Sequence, residues 1–240
     1  LINVEHLTIT YPDGNKAIND ISFHIDKGQK VAIIGANGAG KSTLLMALVG
    51  IIMPAPKTIV IDNIEVNKNN FSDIRAKIGV VFQNPDDQLF MTKVYDDIAF
   101  GPRNYGVSET EIASRIDNIL EALGISHLKE RMPHRLSGGE KRSVALAAVL
   151  SMNPAILLLD EPSSSLDPRA RKKLLAILSK LPLTQLIATH DLDMALDICD
   201  RVIILKDGCI CADGKPREIL VNEQLLQENG LELPFSYCRK

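Results

Sequence analysis

Three short stretches of this chain carry residue types that do phosphate chemistry. Gly35-Ala36-Asn37-Gly38-Ala39-Gly40-Lys41-Ser42 fits the spacing G-x-x-x-x-G-K-[ST]. In such a loop the backbone N–H groups point inward at phosphate oxygens, and the following helix offers the positive end of its dipole. Glycine is expected because backbone must approach a ligand. Lys41 supplies a mobile charge for β- and γ-phosphates, and Ser42 a hydroxyl for magnesium. In Leu157-Leu158-Leu159-Asp160-Glu161 an apolar run ends abruptly in two acids. Ligands bind at the ends of parallel strands, so Asp160 is the expected magnesium carboxylate and Glu161 the expected proton acceptor for an attacking water. In the third stretch, Leu136-Ser137-Gly138-Gly139-Glu140, Ser137 and Glu140 have capping-box spacing. A helix starting at Gly138 would turn its N-terminus towards an anion.

These residues need a scaffold that presents them at element ends. Lys30 to Gly35 is a short apolar run before the glycine-rich loop, and Lys41 to Gly50 has helical composition, which makes strand, loop and helix in order. The alternation Ile21-Ser22-Phe23-His24-Ile25 behind an Asp13-Gly14 turn predicts an antiparallel entry sheet. Thr58 to Asn63, with a turn at Asp62-Asn63, and Ile78 to Phe82 read as further strands. From Asn84 to Leu150 the pattern becomes helical. Ser108 and Glu111 have capping-box spacing, Ile112, Ile116, Ile119, Leu120 and Leu123 form one stripe, and Gly124 sits where a C-terminal cap belongs. Strand and helix alternation returns with Ala155–Leu159, Arg169–Leu181, Gln185–Thr189 and Leu192–Cys199, and a hairpin turns at Asp207-Gly208. The sum is an α/β fold with a largely parallel sheet and a helical insertion. A tail helix carries Ile219, Leu220, Val221, Leu225 and Leu226, placed either on the core or at a dimer contact.

The 240 residues suffice for one large domain with an insertion. With 27 Lys+Arg against 30 Asp+Glu the formal charge is −3, so no global basic field gathers nucleic acid and anion binding must be local. The longest apolar stretch, Leu44 to Met53, falls short of the roughly 20 residues that span a bilayer. The first residues carry neither a basic leader nor an apolar block, which predicts a cytosolic location. Cys199, Cys209, Cys211 and Cys238 lack the spacing of common zinc sites and are expected to be free thiols.

Taken together, the three stretches and their order resemble the nucleotide-binding subunit of ABC transporters, from Tyr11 to about Gly214. Leu136 to Glu140 is similar to the family's signature, which other P-loop kinases and GTPases lack. The resemblance implies a P-loop NTPase cassette with an antiparallel β subdomain and a helical signature subdomain. Residues 1–240 would form one such domain, with the helical part, about 84–150, inserted in a RecA-like core. ATP and Mg2+ are the implied cofactors. Gly35, Asn37, Gly38, Gly40, Lys41, Ser42 and Thr43 would hold the nucleotide and Tyr11 would stack on adenine. Gln83 would touch magnesium and the attacking water, and His190 would sit at the γ-phosphate as the switch histidine. Ser165-Leu166-Asp167 matches the D-loop, and Ser137, Gly138 and Gly139 would bind the γ-phosphate held by an opposite subunit, identical or related. Glu140 departs from the glutamine common in the family.

A further local resemblance, Val81 to Phe90 with Asp96 to Asn104, is to ATPases of energy-coupling-factor and cobalt-type importers. It implies a peripheral protein on the cytoplasmic face of the cell membrane, bound to an integral coupling subunit and a substrate-binding membrane subunit, for cobalt, nickel or a vitamin. Phe90, Tyr95 and Phe100 are the expected apolar anchors, ringed by Asp86, Asp87, Asp96 and Asp97. A soluble ABC-type ATPase uncoupled from transport is the alternative.

Overall fold

The computed structural model describes residues 1–237, so Cys238 lies outside the described residues. The chain opens with β1 (Ile2–Thr10), β2 (Lys16–Ile25) and β3 (Lys30–Ile34), then α1 (Lys41–Leu48). Next come β4 (Ile59–Ile61), β5 (Ile64–Glu65), α2 (Phe71–Lys77) and β6 (Ile78–Val81). Three helices follow without an intervening strand: α3 (Val94–Asn104), α4 (Glu109–Ala122) and α5 (Gly138–Leu150). Alternation resumes with β7 (Ile156–Asp160), α6 (Pro168–Lys180), β8 (Thr184–Thr189), α7 (Leu192–Ile198) and the hairpin β9 (Arg201–Lys206) and β10 (Cys209–Gly214). Two short helices, α8 (Pro216–Ile219) and α9 (Glu223–Glu228), follow the hairpin.

Two sheets result. The antiparallel one runs β2-β1-β4-β5, and its buried residues in β2, Ile18, Ile21, Phe23 and Ile25, keep the expected alternation except where the register shifts. There His6 and Asp20, on either side of the Leu7–Ile21 pair, take φ of +49° and +52°, and the slip realigns Ile18 with the core. The larger sheet runs β10-β9-β3-β8-β7-β6 and is parallel except at β10. Its central strands read as continuous apolar runs because both faces are covered. Ile156 and Leu158 point into a core shared with the antiparallel sheet and α1, whereas Leu157 and Leu159 point into a second core under α3 to α6. In that second core Ile112, Ile116 and Leu120 of α4 are completely buried, each contributing about 1.5–3 kcal/mol of transfer free energy.

Two local expectations need correction. At Ser108 only half of the capping box forms. Its hydroxyl accepts from the Glu111 N–H, but the Glu111 carboxylate is drawn to Arg115 one turn on. The tail forms two short helices rather than one, since Asn222 caps a new helix by accepting from the Leu225 N–H. Leu220 and Leu226 are fully buried in a third core against β3, β9 and α7, so the tail packs on the body of the chain.

Candidate functional site

Four parallel strands deliver their carboxyl ends to one cleft. β3 runs into the loop 35–40, β6 ends two residues before Gln83, β7 ends at Asp160 and β8 at Thr189, next to His190. The cleft encloses about 440 Å3 and is lined by Asn37, Gly38, Gly40, Lys41, Ser42, Thr43, Gln83, Asp160, Glu161, His190 and Tyr11, with Asn15 and Ala17 on the antiparallel side. This is the crevice outside the strand ends where open α/β sheets hold ligands.

The glycines of the loop do two jobs. Gly38 sits at a φ of +84° with open space around it, so its backbone conformation requires glycine. At Gly35 and Gly40 a Cβ would lie 2.2 Å from the Leu205 carbonyl oxygen and 2.4 Å from that of Ala17. Neighbouring backbone, rather than a ligand, occupies the space where those side chains would stand. This corrects the expectation that every glycine serves ligand approach, and it explains why Gly35 helps shape the cleft without lining it. α1 then starts with no side-chain cap and no acid in its first turn, which leaves its N–H groups and positive dipole end free for an anion.

Lys41 is buried, and its Nζ donates to the carbonyls of Gly35 at 2.7 Å and Ala36 at 3.1 Å while standing 3.8 Å from Glu161 Oε1. The Tyr11 hydroxyl and Thr43 Oγ1 share a hydrogen bond at 3.0 Å, which fastens the ring to the cradle's rim. Glu161 is buried at a φ of +45°, a backbone conformation that residues with a side chain rarely adopt. Its Oε2 accepts from the His190 N–H and the Thr189 hydroxyl, both at 3.3 Å, and lies 2.8 Å from His190 Nδ1. The His190 ring is itself 62% exposed, so it reaches from the carboxylate out into the cleft.

Asp160 fits a hard divalent cation. Burial pushes its carboxyl above the ordinary range, although a hydrogen bond from Ser42 and the charges of Lys41 and Arg142 act the other way. Its Oδ1 is buried and has no hydrogen-bond partner. An orphaned carboxylate oxygen beside a hydroxyl, in a phosphate cleft, matches the way Mg2+ is held by one or two protein oxygens plus phosphates. Among the described residues no cluster of three or more His, Cys, Asp or Glu could hold a metal by itself.

The signature stretch lies elsewhere. Ser137 caps α5 in a complete capping box: its Oγ accepts from the Glu140 N–H at 3.4 Å, and its own N–H donates to Glu140 Oε2 at 2.8 Å. Ser137 and Gly138 are exposed, and neither they nor Gly139 line the cleft that holds Lys41. The Ser137 N–H and hydroxyl hold the Glu140 carboxyl below its usual range, so the residue is spent on the cap. In the segment after Gln83, Phe90 and Phe100 are exposed and meet edge to face at 4.9 Å. Tyr95 is not part of that pair, being half-buried under the cations of Arg103 and Lys129. Asp97 is not on the rim either. It is buried, accepts from the N–H groups of Phe90 and Met91 at 2.9 and 3.0 Å, and has its carboxyl pushed up by burial.

Sequence reasoning missed several residues that hold this site. Arg142 on α5 is buried, donates to the Phe82 carbonyl at 2.9 Å just before Gln83, and lies 3.4 Å from Ser164 Oγ. Asp191 caps α7 through the Met194 N–H and takes a two-pronged bond from Arg171. A buried arginine on a helix face and an aspartate after a histidine both look like surface residues in sequence, and only the fold gives them partners.

The chain is similar to known proteins over nearly its whole length. The model of the ABC transporter family matches residues 18–164. The energy-coupling factor transporter ATP-binding protein EcfA of Carboxydothermus hydrogenoformans is 45% identical over 98% of this chain and 87% of its own length. The protein of the same name from Methanothermobacter thermautotrophicus is 42% identical over 98% of this chain and 77% of its own. Among solved structures, cbiO1 of Clostridium perfringens, described as part of the ABC transporter complex cbiONQ, superposes with a TM-score of 0.84 at 39% identity, covering 95% of this chain and 93% of that one. A dimeric ATP-binding cassette in a post-hydrolysis state with ADP and Pi gives 0.81 at 29% identity, covering 90% and 99%. The chain belongs to the ABC transporter family and is one of its ATP-binding subunits.

Proposed function

We propose that this chain is the ATP-hydrolysing subunit of an energy-coupling-factor importer that carries a transition metal ion, cobalt or nickel, or a vitamin. The observation that carries the catalytic half is the buried Glu161 carboxylate, 2.8 Å from His190 Nδ1 and 3.8 Å from Lys41 Nζ at the floor of the cleft. The importer half draws on the relatives named EcfA and on the cbiO1 neighbour.

In this reading the amides of Gly38 to Ser42, with Lys41, Thr43 and the Asn37 turn, hold the phosphates of ATP, and Tyr11 stacks on the base. Ser42, Asp160 and Gln83 would hold Mg2+, which would offset the negative charge of the phosphates. Glu161 takes the proton of the attacking water, and His190, anchored on Glu161, faces the γ-phosphate. Ser137, Gly138 and Gly139, remote from their own chain's cradle, serve the nucleotide of a second ATPase subunit, identical or related. Residues 1–240 act as one cassette with 84–150 as its helical part. The exposed Phe90 and Phe100 support a docking role towards a coupling subunit of the membrane, with the chain peripheral on the cytoplasmic face. The contacts of Ser137, Gly138 and Gly139 with the opposite nucleotide form only in the closed pair, which supplies the differential affinity that a switch requires. No part of this scheme uses nucleic acid.

The test is extraction of native membranes in mild detergent with this subunit as bait, followed by mass spectrometry of what co-elutes. Recovery of an integral coupling subunit with a small substrate-binding membrane protein is the expected result. Recovery from the soluble fraction alone overturns the importer reading in favour of a soluble ABC-type ATPase.

A further inference from the structure

Four residues outside the cleft, Arg171, Asp191, Ser163 and Thr189, form one polar chain behind Glu161 and His190. Arg171, in the second turn of α6, donates from Nε to Asp191 Oδ2 at 2.7 Å and from its terminal nitrogen to Oδ1 at 2.8 Å. Ser163 Oγ donates to the same Oδ2 at 2.9 Å, and the Met194 N–H to Oδ1 at 2.9 Å. The Asp191 N–H in turn donates to Thr189 Oγ1 at 3.0 Å, and that hydroxyl donates a hydrogen bond to Glu161 Oε2 at 3.3 Å. Burial opposes ionisation of Asp191, but the bonds from Arg171, Met194 and Ser163 outweigh it and hold the carboxyl below its usual range.

The polar chain ties together the turn after β7 and the segment after β8. Glu161 and Ser165 both have positive φ, +45° and +61°, so the turn from β7 to α6 is strained at each end. Asp167 begins α6 by accepting from the Arg169 and Ala170 N–H groups, and Arg171 lies one turn on. His190, by contrast, follows the buried end of β8 with its own ring largely in solvent. Glu161 is also held by its own N–H on the Ala188 carbonyl, which fixes its backbone but not the angle between carboxylate and imidazole. Asp191 follows His190 directly and its two oxygens are fully engaged. The planar guanidinium fork therefore sets where the histidine's backbone stands relative to α6 and the turn that carries Glu161.

We propose that the Arg171–Asp191 pair is a positioning strut that holds His190 and Glu161 in working register and couples that register to the Ser165–Asp167 turn. Neither residue lines the cleft, so both act through others. The inference rests on the roles given above to Glu161 and His190 and deepens that reading.

The test uses the full chain, with ATP affinity and steady-state hydrolysis measured separately. Misplacement by about 1 Å at a reacting centre can lower turnover a hundredfold, so Arg171→Ala is expected to reduce kcat by about ten- to a hundredfold. The dissociation constant for ATP should stay within about twofold, because the strut makes no contact with the cradle. Arg171→Lys should recover part of the loss, since a point charge restores attraction but not the two-pronged geometry. Asp191→Asn should fall in the same direction. If Arg171→Ala fails to fold, judged by its circular dichroism, the Lys and Asn variants carry the test. A kcat within about twofold of the parent in both, or a loss of ATP affinity in proportion to kcat, overturns the strut. Full hydrolysis by Glu161→Gln overturns the catalytic assignment beneath it. A dead Glu161→Gln beside an active Arg171→Lys and Asp191→Asn removes the strut while leaving that assignment standing.

Discussion

Replacing Asp160 with asparagine should make the empty protein more stable and its magnesium response weaker, two effects of opposite sign from one atom. Asp160 Oδ1 is buried without a partner, and burial is the largest influence on its carboxyl, which titrates above the ordinary 3.8. A buried charged oxygen with no partner costs about 1–3 kcal/mol. Attraction to Lys41 and Arg142 and the bond from Ser42 offset part of this, leaving about 1–2 kcal/mol for the Asn variant to recover. In a chain of this length each kcal/mol moves Tm by about 2–4 °C, so the nucleotide-free variant should melt roughly 2–8 °C higher at pH 7.5. The sign with pH follows from linkage. The folded state binds this proton more tightly than the unfolded state, so the penalty is absent below about pH 3.8, grows as pH rises towards the folded pKa, and is complete above it. The advantage of the variant should therefore shrink as pH is lowered towards 4. Differential scanning calorimetry with EDTA, with ATP and with ATP plus Mg2+ separates the two effects. Saturation at 100 times Kd stabilises by about 2.7 kcal/mol, and the magnesium-dependent part of that increment should vanish in the variant. An apo Tm at or below the parent's refutes the orphan-oxygen argument. A full magnesium increment refutes Asp160 as a ligand.

Glu161→Gln should lose about two to four orders of magnitude in hydrolysis while still binding ATP, and should accumulate as an ATP-bound dimer on size-exclusion chromatography; rapid turnover would refute the base assignment. Lys41→Ala should weaken ATP binding measured by calorimetry, and an unchanged affinity would count against the cradle. Gly40→Ala places a Cβ 2.4 Å from the Ala17 carbonyl at a φ of +105°, so a loss of about 1–3 kcal/mol is expected in denaturant titration. Asp97→Ala strands the Phe90 and Met91 N–H groups, which should exchange faster with deuterium, whereas Asp97→Asn keeps an acceptor and should not.

The line between what the sequence reveals here and what it hides follows the range of the forces involved. β7 and β8 are legible because burial on both faces demands an unbroken apolar run, and the cradle because its spacing is dictated by backbone geometry over eight consecutive residues. The Asp207-Gly208 hairpin is legible for the same reason, both residues taking the positive φ that their types favour. Asp97 misled because four acids in one stretch look alike in sequence, yet a tertiary accident of position sends one inward to cap two N–H groups. Glu111 misled because two partners compete for it, and the arginine one turn away wins over the helix start. Arg142, Arg171 and Asp191 were invisible for a deeper reason. Their partners are set by which helices cross behind the sheet, and a charge patterned like a solvated surface residue gives no sign that a carbonyl or a carboxylate waits for it. The residues proposed to touch a ligand are thus the ones local rules disclose, while those that hold them in place are disclosed only by packing. The Asp160 variant probes the first group and the Arg171 series the second, so a split result between them would show which layer of the site was misread.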